Sequence, residues 1–214
     1  MNAEINTPKE LQDLQHIRQM MERSSRFVSL SGLSGIAAGI WSLTGAYIAN
    51  SIIGKYYQEY NAEGYTGPAF EKLKRDLLLL AAGVLLMALV SAFYFTRKRA
   101  RSHKVSIWNQ SSKRLSVNLM IPLVTGGLLI LGILRYDDWR FIAPLTLIFY
   151  GLALVNASKY TLTDIRYLGI CEIILGLVNT QYVGYGLYFW AIGFGIFHII
   201  YGVIMWIKYE RTQA

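Results

Sequence analysis

Two residues that can exchange protons lie within long apolar runs of this 214-residue sequence. Glu172 lies in the segment Gly169-Ile-Cys-Glu-Ile-Ile-Leu-Gly176, and His198 lies in the similar segment Gly195-Ile-Phe-His-Ile-Ile-Tyr-Gly202. At helical spacing, a residue shares one face with the residues three before it and four after it. Each polar residue is therefore predicted to lie on a helix face that two glycines flank.

The chemistry of Glu172 and His198 predicts a proton-responsive site. An ionised carboxylate inside a membrane costs roughly 2.5 to 3.5 kcal/mol, so it tends to face the bundle interior and find a partner. Both residues are expected about 13 Å from the same membrane boundary, at 1.5 Å per residue. Histidine changes charge near physiological pH, and carboxylate and histidine chains relay protons in transporters. A neutral hydrogen-bonded pair, an ion pair and a purely structural contact between two helices all remain open.

Trp41 and Asn118 are two further candidates for a ligand or proton site. Trp41 lies near the middle of the first apolar run, and a tryptophan away from the membrane interface usually packs inside the bundle or lines a pocket. Pro122 cannot donate a hydrogen bond to the carbonyl of Asn118 one turn earlier, which predicts a kink. That carbonyl is then satisfied by a neighbouring group or faces a substrate.

Small residues on three helices predict close helix packing. Gly35 and Gly39 form a GxxxG pair, a spacing that lets another helix approach closely. The same frame of glycines surrounds Glu172 and His198, and it is compatible either with an old duplication or with ordinary small-face packing. The predicted packing positions are Gly32, Gly35, Gly39, Gly169, Gly176, Gly195 and Gly202.

The composition predicts an all-α, polytopic membrane helix bundle. Hydrophobic residues make up 54% of the chain and charged residues only 16%, and a spanning helix needs about 20 mostly apolar residues. Six spans are predicted, of which the fourth and fifth are short and could be partly re-entrant. They cover about 28–53, 77–96, 115–134, 141–157, 164–180 and 184–207, within a transmembrane domain over 27–214.

The distribution of basic residues predicts that both termini are cytoplasmic. The segment from Arg97 to Arg114 carries seven Lys and Arg residues without an acidic one, a pattern typical of the cytoplasmic side. An N-in, C-in topology in the cell (inner or plasma) membrane follows, and it assigns the net charge of +8 to topology rather than to nucleic-acid binding. The same loop could attract anionic lipids.

Residues 1–26 are predicted to form a cytoplasmic amphipathic helix. Thr7 and Pro8 suit the start of a helix, and Leu11, Leu14 and Ile17 then recur at helical spacing. This helix could lie on the membrane surface, pair with a partner helix or pack on the cytoplasmic loops.

Metal, haem and enzymatic chemistry find little support in the sequence. His16, His103 and His198 fall in three different segments, so they offer neither a haem pair nor zinc-ligand spacing. The chain also contains no glycine-rich phosphate loop, no G-x-S-x-G and no H-E-x-x-H motif. No cofactor and no metal are predicted, and an enzyme is the least favoured class.

Two functions remain for such a bundle. The leading hypothesis is a small transporter, or a protein that binds and senses an unknown small ligand, with a site between spans one, five and six. The alternative is a packing or assembly protein whose glycine faces mediate homo-oligomers and whose basic loop or N-terminal helix binds a partner. A cavity reaching Glu172 would favour the first; a closed core with small residues facing lipid would favour the second.

Overall fold

The computed structural model describes residues 31–59, 67–102, 110–136 and 138–211, and these residues form helices and short turns without a β-strand. The sixth helix, α6, is continuous but changes its winding: it is α-helical over Gly186–Trp190, π-helical over Ala191–Phe197 and α-helical again over His198–Tyr209. The predicted helix over 1–26 lies outside the described residues. The other helices are α1 (Gly32–Glu59), α2 (Pro68–Ser102), α3 (Gln110–Leu134), α4 (Ile142–Ala157) and α5 (Asp164–Asn179).

Five helical segments in the described part of the chain are long and apolar enough to cross a membrane. The fifth helix, α5, has only 16 residues, or about 24 Å at 1.5 Å per residue. The architecture is therefore that of a multi-pass membrane protein, which confirms the all-α membrane class. The spanning segments are Gly32–Gln58, Pro68–Ser102, Gln110–Leu134, Trp139–Tyr160 and Val183–Tyr209.

The helices extend beyond the predicted spans where polar residues favour helix. The second helix runs over Pro68–Ser102, whereas hydropathy predicted a span over 77–96. Both extensions are rich in Lys and Arg, which are good helix formers, so the helix continues where the apolar run stops. Part of the basic segment after the second span is consequently helical rather than a loop.

Two helix pairs in the centre of the bundle approach each other through glycines. A Cβ on Gly202 of α6 would lie 2.6 Å from the carbonyl oxygen of Gly32 on α1, and a Cβ on Gly169 of α5 would lie 2.7 Å from the carbonyl oxygen of Gly151 on α4. The glycine face of α6 thus meets α1, and the glycine face of α5 meets α4. The glycine faces of α5 and α6 therefore do not pack against each other.

The helices α2 and α3 lie at the periphery of this core. Helix α2 packs against α1, and helix α3 packs against α4. Their remaining surface is apolar and exposed, as at Leu85 and Leu128, which are 60% and 65% exposed. Such a surface suits contact with lipid chains.

The carbonyl that Pro122 leaves free is occupied by a side chain of a neighbouring helix. Asn156 of α4 donates its amide to the carbonyl oxygen of Asn118 at 2.8 Å. The third helix remains continuous across Pro122. The position is therefore a helix-to-helix contact rather than an open carbonyl.

Candidate functional site

Glu172 lies on the buried face of α5 and is completely inaccessible to solvent. Its carboxyl group packs against Gly193 in the π-helical part of α6. A Cβ at position 193 would collide with Glu172 Oε2 and with Leu147 of α4. Glycine at this position thus makes room for the carboxyl group between three helices.

His198 has both ring nitrogens engaged. Its Nδ1 lies 3.0 Å from the carbonyl oxygen of Gly193, five residues earlier in the same helix. Because a carbonyl can only accept, Nδ1 carries a proton there, and in the neutral imidazole Nε2 is the acceptor. The hydroxyl of Tyr150 on α4 lies 2.8 Å from Nε2 and donates to it.

Glu172 and His198 meet, but without a hydrogen bond. Glu172 Oε1 lies 3.5 Å from His198 Nδ1, whose proton is directed to Gly193. Neither carboxyl oxygen of Glu172 has a hydrogen-bond partner among the residues that the structure describes. The large majority of buried polar side-chain atoms in proteins do have one, so this carboxyl group requires an explanation.

Aromatic rings surround the histidine. Phe194 stacks on His198 with ring centroids 5.9 Å apart and contacts Trp190 at 5.0 Å, so three rings form a ladder along α6. Tyr150 approaches Phe194 from α4 at 5.0 Å. The polar contacts of the imidazole within this aromatic environment are the Gly193 carbonyl and the Tyr150 hydroxyl.

The π-helical segment Ala191–Phe197 coincides with the site. In this winding the hydrogen bonds reach one residue further than in an α-helix, and such segments are frequent at functional sites. Here the His198 side chain bonds to the carbonyl of Gly193 within the same stretch. The irregular winding and the carboxyl group therefore meet at Gly193.

Trp41 and Asn118 do not belong to this arrangement. Trp41 is half-buried on α1 and follows Gly39 by two residues, about 200° around the helix from the face that meets α6. Asn118 lies on α3, and its side chain bonds to the carbonyl of Arg114 at 2.8 Å. The third helix that contributes to the site, beside α5 and α6, is α4. The sequence had suggested α1 in that position.

Tyr150 and Gly193 were missed by the sequence reasoning. Both had a signal: Tyr150 is a tyrosine in the middle of an apolar run rather than at the membrane interface, and Gly193 precedes Gly195 by two residues.

The seven glycines predicted as packing positions all lie where another part of the chain approaches closely, and those contacts include backbone atoms at Gly32, Gly35, Gly39, Gly169, Gly176 and Gly202.

The surroundings of Glu172 are closed. A shallow surface pocket lies at the start of α2, lined by Gly67, Glu71, Lys72 and Arg75, and it does not include Glu172. Within the described ranges, no group of three or more His, Cys, Asp or Glu side chains is arranged to hold a metal ion.

Charged side chains at the C-terminal end of α6 join four helices. Glu210 accepts hydrogen bonds from the hydroxyl of Ser31 at 3.1 Å and the backbone N–H of Gly32 at 2.6 Å, and it forms an ion pair with Arg99 of α2 at 3.2 Å. The Arg99 side chain is thus buried in the bundle and paired with Glu210. Lys208 and Tyr209 donate to Asp164 of α5 at 3.0 and 2.5 Å.

No protein-family model, curated protein sequence or solved structure matches this chain.

Proposed function

We propose that this chain is a proton-responsive integral membrane protein, a small transporter or sensor, in which Glu172 is the group that takes up and releases the proton. The observation that carries the proposal is a fully buried carboxyl group with no hydrogen-bond partner among the described residues, 3.5 Å from a histidine. We propose an N-in, C-in orientation with six spans, α5 being the shortest.

A purely structural role predicts a different arrangement. A charged group that locks two helices is stable in a bundle only when hydrogen bonds and an opposite charge compensate its desolvation. His198 directs its Nδ1 proton to Gly193 and receives a hydrogen bond from Tyr150, so it is satisfied without Glu172. The Glu172 carboxyl group therefore adds no hydrogen bond between the helices, and protonation chemistry explains its presence.

The enclosed site favours the proton over a larger ligand. The Glu172 carboxyl group packs against Gly193, with Leu147 on the other side of the same glycine, and it has no exposed surface. A proton needs no cavity, whereas a larger substrate requires the helices to move apart. The π-helical segment of α6 is the element suited to such a change, because helices bend at π-bulges, which are frequent at functional sites.

A packing or assembly protein is expected to combine a closed core with small residues that face lipid. Only the first of these two features supports the alternative. The core around Glu172 is closed, as that alternative requires. The glycine faces, however, are occupied within the chain, since Gly32 and Gly35 contact Gly202. An assembly role would therefore depend on α2 and α3, whose apolar surfaces are exposed.

Infrared difference spectroscopy in lipid vesicles tests the proposed function. We expect a carboxyl C=O band that appears on acidification and disappears in Glu172→Gln. His198→Ala should shift the midpoint of that titration, because the imidazole is the nearest titratable group. Glu71→Gln is the matched control, because Glu71 has a 68% exposed side chain and lies on another helix. A spectrum identical in wild type and Glu172→Gln across the pH range would refute the proposal.

Proton flux into the same vesicles distinguishes the two modes of action. A transporter should acidify the vesicle interior at a rate that Glu172→Gln abolishes. A sensor should show the titrating band without flux. A chain that shows neither and elutes as a stable oligomer would belong to the assembly class.

A further inference from the structure

We propose that the hydroxyl of Tyr201 relays protons between the Asp164 cluster at the C-terminal end of α6 and the site formed by Tyr150, His198 and Glu172. This inference rests on the proposed function and assigns the side of the bundle from which the proton arrives. It adds a relay residue that lies outside the site itself.

Tyr201 lies between the two groups of polar side chains. On α6 it follows His198 by three residues and precedes Lys208 by seven, about 4.5 and 10 Å along the helix axis and on the same face. Tyr201 and Tyr150 pack against the same buried cluster, which is formed by Leu154, Ile165 and Leu168. Two of these belong to the stretch of α5 between Asp164 and Glu172.

The hydroxyl of Tyr201 is itself unusual. It is buried and has no hydrogen-bond partner among the described residues. A buried hydroxyl without a partner is destabilising, as other unpaired polar groups are. A phenylalanine would fill the same place without that cost, so the hydroxyl is explained by a transient partner.

The titratable groups around Tyr201 come from three helices. Tyr150 on α4, Asp164 on α5 and Tyr209 on α6 lie close enough to Tyr201 to interact with it electrostatically. Lys208 donates a hydrogen bond to the Asp164 carboxylate, and His198 Nε2 accepts one from the Tyr150 hydroxyl. Helix α3 contributes the apolar side chain of Leu119, which packs against the cluster of Leu154, Ile165 and Leu168. The ring of Tyr201 is thus within a row of groups that can each accept and donate a proton.

Transfer along this row balances without another reactant. Asp164, protonated from solvent, gives its proton to the oxygen of Tyr201, which passes its own proton to Tyr150. Tyr150 protonates His198 Nε2, and Nδ1 releases its proton to Glu172. Glu172 ends neutral, the imidazole ends neutral with its proton on Nε2, each tyrosine keeps one proton, and Asp164 returns to the carboxylate.

The opposite direction offers no such row in the part of the chain that the structure describes. Beyond Glu172, the next polar residue on the buried face of α5 is Asn179, seven residues later. Leu147 and Ile148 of α4 fill the space near Glu172 and Gly176. Apolar packing on this side directs proton exchange to the C-terminal end of α6.

Rapid pH-jump infrared measurements on the full chain in vesicles test the relay. In Tyr201→Phe, the Glu172 carboxyl band should form about a hundredfold more slowly, the lower end of what a positioned proton-transfer group contributes. Its midpoint should stay unchanged, because the equilibrium depends on Glu172 and its immediate neighbours. Tyr167→Phe is the matched control: Tyr167 lies on α5, is 64% exposed, and should leave the rate unchanged.

The outcomes separate the relay from the proposed function. A wild-type rate in Tyr201→Phe with a titrating Glu172 band overturns the relay alone. A wild-type protein without that band overturns the proposed function and the relay together. A purely structural hydroxyl would change the unfolding free energy while the rate stayed constant, and that result also contradicts the relay.

Discussion

Glu172 in the middle of the bundle and Glu210 at its end are two enclosed glutamates with opposite surroundings. Glu210, with 16% of its side chain exposed, accepts from Ser31 and Gly32 and pairs with Arg99. Glu172 is fully buried and has none of these contacts among the described residues. Charge at the end of α6 joins helices, whereas the carboxyl group in the middle has no hydrogen-bond partner among the described residues.

Matched glutamine substitutions should give the largest difference between the two regions. Glu210→Gln removes the charge that compensates Arg99, and losing one member of a buried ion pair costs about 3 kcal/mol or more. Glu172→Gln removes no hydrogen bond and no paired charge, so we expect no loss of stability or a small gain.

Reversible unfolding in mixed detergent micelles measures both free energies. Equal losses in the two variants would contradict the contrast and would indicate that Glu172 has a structural partner.

A methyl group at position 193 should sharpen the difference by testing how tightly the middle is packed. Gly193→Ala places its Cβ against Glu172 Oε2 and Leu147, and overpacking of this kind costs about 1 to 3 kcal/mol. The cost should fall in a Glu172→Ala background, because half of the collision is then removed.

Gly127→Ala is the control, because a Cβ there meets nothing within 4 Å. Alanine at that helix position should be neutral or stabilising by up to about 1 kcal/mol. Equal effects at positions 127 and 193 would show that the carboxyl group is not held against α6.

The smallest expected effect concerns the hydrogen bond that Asn156 donates to the backbone carbonyl of Asn118. Asn156→Ala should cost about 1 kcal/mol, because the Asn118 carbonyl loses the donor that replaces the missing N–H of Pro122. In a Pro122→Ala background the cost should be smaller, since the substituted alanine supplies its own backbone N–H. A double-mutant cycle of unfolding free energies measures the coupling, and additive effects would argue against it.

The sequence was informative wherever the physics is local. Apolar runs of sufficient length predicted the membrane class, and the choice of Glu172 and His198 followed from the isolation of two polar residues within such runs. Trp41 and Asn118 were chosen by the same local reasoning, but the structure places them elsewhere. A residue's type and depth do not reveal in which direction its side chain points.

Composition and hydropathy alone thus determined that the chain is a helical membrane protein with an acid and an imidazole in its apolar part. Only the tertiary structure decided that α5 packs on α4 and α6 on α1, that Tyr150 binds the imidazole, and that Gly193 accommodates the carboxyl group. The reason is that helix formation depends on neighbours in sequence, whereas a hydrogen bond between helices depends on which faces close packing brings together.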